Sequence, residues 1–190
     1  SGGAGLHRGG NGVHTAYRIL NEGQISIHDD RWLTHPWGVN GGLPAQRSSK
    51  FVERQNGKLE VLGSKCDRIK VLPGDVVHYR TWGGGGWGDP LLRPVEKVLF
   101  DVKAGLVTLE GARSYGVVIN PEMEIEESAT QSLRTQIAKE RGPIEVFNRG
   151  GNLDELIARC EAETGLPPPR PPTFPRWAQL HTKTSEAQTT

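Results

Sequence analysis

Glycine governs this sequence. SGGAGLHRGGNG opens the chain and TWGGGGWGDP occupies residues 81–90, so two stretches far apart in sequence almost lack side chains. Backbone without Cβ atoms can adopt positive φ and can bring another backbone or a ligand to van der Waals distance. Ordering it costs more conformational entropy than ordering any other residue type, so a fold that keeps both stretches has to use that proximity.

The run Gly83, Gly84, Gly85, Gly86, Trp87, Gly88 satisfies the spacing of a dinucleotide-binding loop and follows an expected strand. That chemistry also needs a helix opening at the last glycine, with its free N–H groups facing the pyrophosphate. Here Asp89-Pro90 intervenes, and no Lys-Ser or Lys-Thr follows to make a phosphate loop of the other common kind. Two readings stay open: a tight crossover against a neighbouring chain, or the floor of a pocket walled by Trp82 and Trp87.

With 190 residues the chain is long enough for one core and an appended segment. Its 25 glycines and 13 prolines are a fifth of the residues, which indicates many loops but falls short of a low-complexity chain. The net charge of +1 supplies no general field for nucleic acid or an anionic membrane. No apolar run suits a membrane span and no signal-peptide pattern is present, so the expected location is cytoplasmic. Cys66 and Cys160 sit in unrelated contexts and read as reduced thiols. The start at Ser1, inside a glycine motif and with Met123 the only methionine, suggests a processed, split or excerpted piece.

The expected fold class is α+β: an antiparallel β-rich core to about residue 90, then short C-terminal helices and an extended proline-rich arm. Residues 12–27 read as a hairpin turning at Asn21-Glu22-Gly23. Residues 30–50 form a long loop, and strands are expected at 50–54, 58–62, 67–72 and 75–82. Val95, Val98, Leu99 and Val102 mark an amphipathic helix between Pro94 and Gly105. Thr108 caps a short second helix that Gly116 stops. A third carries Glu124, Glu126 and Glu127 at its head and the register Ile125, Ala129, Leu133, Ile137. Asn152 with Glu155 makes a capping box for a fourth, over 151–165. Residues 166–190 are expected to be a polyproline arm, anchored by Phe174 and Trp177, and a disordered tail.

Four ordered motifs then carry a resemblance: GGAGLHRGGNG at 2–12, HPWGVNGG at 35–42, LPGDVVHYRTWGGGGWGDPLLRP at 72–94 and DVKAGLVTLEGARSYGVVI at 101–119. Over residues 1 to about 150 the chain resembles the C-terminal region of the hydantoinase B family, which includes B-type portions of ATP-dependent hydantoinases and 5-oxoprolinase. The large subunits of acetone and acetophenone carboxylases are related. The resemblance implies an ATP-dependent reaction that phosphorylates a carbonyl or enolate oxygen, activating a cyclic amide for hydrolysis or a ketone for carboxylation. It places ATP in a hydantoinase A-type partner and a divalent metal in the N-terminal portion of the B-type subunit, around Asn-Asp-Pro and Gly-Gly-Thr-His patterns. This chain has neither pattern, so it is expected to bind no cofactor or metal alone and to be inactive alone. A non-catalytic assembly subunit is the reading from another class.

This chain departs from the family at DDRWLTHPWG and at Gly42-Leu43-Pro44-Ala45. A partner or substrate contact in the loop containing Arg31 and Trp37 is therefore expected to differ from the family's. His35 is the candidate acid–base group, with fixing of the loop as the competing role. Arg8, among glycines, is the candidate anion binder, or else satisfies carbonyls of its own loop. Gly83, Gly84, Gly85, Gly86 and Trp87 complete the candidate loops, and Asp89 is expected to cap the following turn. His28, Asp29 and Asp30 alternate along a strand and read as surface polar residues.

Overall fold

The computed structural model describes residues 1–169, so Phe174, Trp177 and most of the expected proline-rich arm lie outside it. Among the described residues eight strands and four α-helices follow one another: β1 His14–Arg18, β2 Gly23–His28, β3 Gly38–Val39, β4 Ser49–Glu53, β5 Leu59–Leu62, β6 Lys65–Val71, β7 Val76–Arg80, α1 Val95–Lys103, α2 Leu109–Ala112, α3 Glu127–Glu140, β8 Phe147–Asn148 and α4 Leu153–Thr164. The class is α+β, as the residue patterns indicate.

The strands form a four-stranded sheet in the order β1-β7-β4-β5 and two pairs, β2-β6 and β3-β8, all antiparallel. β4 and β5 are a local hairpin, closed by Gly57 at φ 79° and by Asn56, whose side-chain oxygen accepts the Lys58 N–H at 3.0 Å. The expected hairpin over 12–27 does not form. β1 pairs with β7 and β2 with β6, so the chain crosses between sheets at Asn21-Glu22. Ile27, Val52, Leu62, Val71 and Val77 meet between the two sheets as one core.

A second core lies under the helices, where Val98 and Val102 of α1 pack with Ala112, Tyr115, Val117 and Ala4. Pro94 precedes α1 and Gly105, at φ 70°, follows it. Thr108 caps α2 by accepting the Gly111 N–H, and Gly116 turns left-handed after the 3-10 turn Arg113–Tyr115. α3 starts later than the charge pattern suggests, because Ile125 bridges back to Ile119 and holds Glu124 in an extended segment. It is a polar helix. Thr130 is its only fully buried residue among those described, and accepts the Val118 N–H at 3.0 Å. The capping box of α4 is present in both directions, and Leu156 and Cys160 point inward beside Trp32.

The loop expected over 30–50 contains β3, whose two residues pair with β8 from beyond α3. That pairing carries the segment 144–148 alongside the Pro-Trp-Gly motif.

Candidate functional site

Three glycine-bearing segments, 2–12, 38–44 and 83–88, lie side by side and bond through their backbones. Gly3 donates to the Gly84 carbonyl at 2.9 Å, Gly84 to Gly10 at 2.8 Å, Gly86 to Leu43 at 2.9 Å and Leu43 to Ala4 at 2.7 Å. Val39 donates to Gly86, while His7 and Trp87 exchange both bonds of an antiparallel pair. A Cβ on Gly85 would overlap the Trp37 carbonyl, one on Gly86 the Ala4 carbonyl, and one on Gly42 the Gly86 carbonyl. Left-handed φ is not the reason for the run, since only Gly88 of 83–88 has positive φ. Close approach is. The segments of this one chain knit into a layer with backbone on both faces.

The same bonds bear on phosphate. A cradle needs unoccupied N–H groups pointing at the ligand, whereas the N–H groups of Gly84, Gly86, Trp87 and Gly88 all donate to carbonyls of this layer.

Tryptophans stand on its surface. Trp37, Trp82 and Trp87 remain 43%, 41% and 49% exposed, although Trp87 belongs to the hydrogen-bonded layer and Trp37 and Trp82 adjoin it in sequence. His7 tilts against Trp87 with ring centroids 5.4 Å apart. Trp37 is flanked by two guanidiniums, Arg31 at 5.6 Å and Arg149 at 5.2 Å from the ring centroid, with Phe147 edge-on at 6.1 Å. A cation over an indole face is attracted by the ring quadrupole. Arg31 reaches this position from a left-handed backbone, φ 55°. Arg149 and Phe147 were not legible as site residues, because only the β3–β8 pairing brings them to Trp37.

Asp89 closes the glycine segment. Its Oδ1 accepts the Leu91 N–H at 2.9 Å, capping a 3-10 turn over Pro90–Leu92. The same carboxylate receives Arg141 at the end of α3, at 2.5 and 2.6 Å. The Arg141 guanidinium holds the Asp89 carboxyl below the usual carboxylate range, against the opposing effect of burial.

Arg8 is engaged. It donates to the Gly9 carbonyl at 2.8 Å and to the Asn11 side chain at 3.3 Å, and lies 3.6 Å from buried Asp101 of α1. Arg93 donates to the same Asp101 oxygen at 2.7 Å and to the Leu6 carbonyl at 2.9 Å. Together the two arginines fasten the first glycine segment to the helical core. Between that segment and the α1–α2 connection a cleft of about 350 Å³ is lined by Ala4, Asn11, Leu43, Val107, Thr108 and Tyr115, within the size range of small-molecule sites.

His35 lies behind the Trp37 surface. Its Nδ1 donates to the Ala45 carbonyl at 2.7 Å, across the loop that precedes β4, and its Nε2 is buried without a partner. Burial pulls the imidazole below its ordinary value, and the nearby Arg47 and Arg159 push the same way. The neutral ring with Nδ1–H is therefore the form that fits.

Asp29 departs from the expected surface placement: its side chain is only 7% exposed, ion-paired to Lys50 and bonded by the Ser48 hydroxyl. A buried carboxylate demands such partners. His28 and Asp30 stay exposed, so the three do not gather. Among the described residues no group of three His, Cys, Asp or Glu could hold a metal ion, and no helix is long and apolar enough to cross a membrane.

Comparison with known proteins agrees with the motifs. Residues 1–90 match the family described as Hydantoinase B/oxoprolinase. An uncharacterised protein of Methanocaldococcus jannaschii is 35% identical over 138 residues, covering 70% of this chain and 24% of its own length. The caprolactamase subunit beta of Pseudomonas jessenii is 34% identical over 139 residues, again 70% and 24%. The crystal structure of the ATP-dependent caprolactamase from that organism superposes with a TM-score of 0.57 at 30% identity, over 70% of this chain and 24% of that one. Nucleotide-free acetone carboxylase shares the fold, with a TM-score of 0.57 at 22% identity over 77% of this chain. The chain thus spans about a quarter of the length of these two relatives. With four motifs, a glycine layer that uses them and these similarities, the chain belongs to the hydantoinase B/oxoprolinase family.

Proposed function

We propose that this chain is the C-terminal part of a B-type subunit in an ATP-dependent cyclic amide hydrolase, and that it works in complex and not alone. One observation carries the reading. Trp37, Trp82 and Trp87 are held half-exposed on a backbone layer too tightly knit to rearrange, which is the surface expected where further protein or a ligand covers them. The similarity to a caprolactamase beta subunit favours a cyclic amide as the substrate class.

In this reading the layer is a platform. Arg31 and Arg149 about Trp37 meet an acidic or polar edge of the rest of the complex, or the substrate itself, and the Gly83–Trp87 segment backs them. Nucleotide chemistry is assigned to a hydantoinase A-type subunit and the divalent metal to the N-terminal portion of the B-type subunit by the family resemblance, and the bonded N–H groups of Gly84, Gly86, Trp87 and Gly88 support the first assignment. His35, with Nδ1 committed to Ala45 and Nε2 buried, is assigned to positioning the Trp37 loop. The complex is placed in the cytoplasm, with neither nucleic acid nor membrane as partner.

The test is reconstitution with the remaining B-type portion and the A-type subunit. The proposal predicts ATP turnover dependent on a cyclic amide, reduced at least tenfold by Trp37→Ala or by Arg31→Ala with Arg149→Ala while assembly persists. Unchanged turnover in these variants would favour a purely structural subunit. The relation in fold to acetone carboxylase supports one second reading, a ketone carboxylase, which turnover dependent on bicarbonate would establish.

A further inference from the structure

The outer face of the four-stranded sheet carries a constellation that the platform reading leaves unused. Alternation along the strands puts His14 of β1, His78 of β7 and Phe51 and Glu53 of β4 on this face, while Val52 and Val77 point to the core. The register pairs His14 with Arg80 and Ala16 with His78, so the two histidines are diagonal neighbours on adjacent strands. Sixty-four residues separate them in sequence, and no ligand-spacing pattern advertises them.

His14 Nε2 and His78 Nδ1 face each other at 3.0 Å. The other nitrogen of His78, Nε2, lies 3.3 Å from Glu53 Oε2. Phe51 stacks on the His78 ring, centroids 4.4 Å apart and planes within 10°, and fixes its orientation. The contact is an imidazole N–H···N hydrogen bond; an ion that displaced its proton and sat about 2.0–2.1 Å from each nitrogen, the bond length zinc takes to histidine, would subtend roughly a right angle. A metal-bound histidine usually gives its second N–H to a carboxylate, which sets the tautomer and raises ligand basicity. Glu53 stands where that carboxylate belongs.

We propose that His14 and His78 form a bidentate site for a first-row divalent transition ion, with Glu53 as the positioning carboxylate. Imidazole pairs suit zinc and copper. Water completes the coordination, since no third side-chain ligand stands in reach among the described residues. The opposing charge is Arg80, whose guanidinium is turned over the Phe51 ring at 5.1 Å from its centroid. This site is independent of the platform reading, because it lies on the sheet and not on the glycine layer.

Zinc titration of the full chain by calorimetry at pH 7.5 tests it. One ion per chain is expected, bound at least tenfold more weakly by His14→Ala, His14→Gln and His78→Ala, and about tenfold more weakly by Glu53→Gln. His28→Ala should leave binding unchanged. His14 is exposed, so its variants remain interpretable if His78→Ala fails to fold. Absence of stoichiometric binding, or affinity unchanged in both His14 variants, would overturn the proposal, as would loss of binding in His28→Ala alone.

Discussion

Asp89 and Arg141 are joined by two parallel hydrogen bonds, at 2.5 and 2.6 Å, which tie the end of the glycine layer to the last turn of α3. Fifty-two residues separate the pair, and Asp89 also caps the 3-10 turn after the glycines. Removing the guanidinium leaves a largely buried carboxylate without its main partner.

Arg141→Ala should therefore lower unfolding stability by about 2–3 kcal/mol, less than a fully buried pair would lose because Arg141 retains some exposure. Arg141→Lys should recover only part of this, since a lysine cannot reproduce the fork. Urea denaturation measures both. Stability equal to wild type in Arg141→Ala would show the bond to be ornamental.

Glycine positions within the same layer should separate sharply. Gly86→Ala drives a methyl into the Ala4 carbonyl, and Gly85→Ala drives one into the Trp37 carbonyl. Both neighbours are backbone that cannot yield locally, so each should cost at least about 3 kcal/mol or prevent folding, at or beyond the upper end of ordinary overpacking. Gly84→Ala meets nothing closer than 3.3 Å and Gly10→Ala nothing within 4 Å, and neither needs positive φ. These two should stay within about 1 kcal/mol of wild type, helped by a less mobile unfolded chain. Thermal denaturation of the four variants side by side checks the contrast.

His35 makes stability depend on pH in a definite direction. Burial holds its native-state value below the ordinary 6.5, so as pH falls the unfolded chain takes up the proton first. Its contribution is intact above about 6.5 and is lost between there and the lower native value. Wild type should lose more stability between pH 7 and 5 than His35→Gln, whose amide can still donate to Ala45. Parallel curves for the two proteins would place the proton uptake elsewhere.

Much of the architecture was legible in the residues. Alternation located β4 to β7 within about two positions, and Pro94, Thr108, Gly116 and the Asn152–Glu155 box marked helix ends that the structure keeps. Those signals are local, and so is what they specify. Partner choice is not local: β1 and β2 look like a hairpin, yet each finds its mate some forty to sixty residues away, where Ile27 and Val77 can share one core. The glycine run declared close approach without saying to what. Arg149 beside Trp37 and Lys50 against Asp29 had no sequence signature, because pairing across strands or loops creates them.

The central claim is that this chain completes a larger catalytic assembly through its glycine layer. The most direct measurement is ATP turnover, with a cyclic amide present, by the A-type subunit and the remaining B-type portion before and after this chain is added. Turnover that appears only on addition, and falls at least tenfold when Trp37→Ala protein that still assembles is supplied instead, is the predicted result. Full turnover without the chain, or turnover by the chain alone, would contradict it.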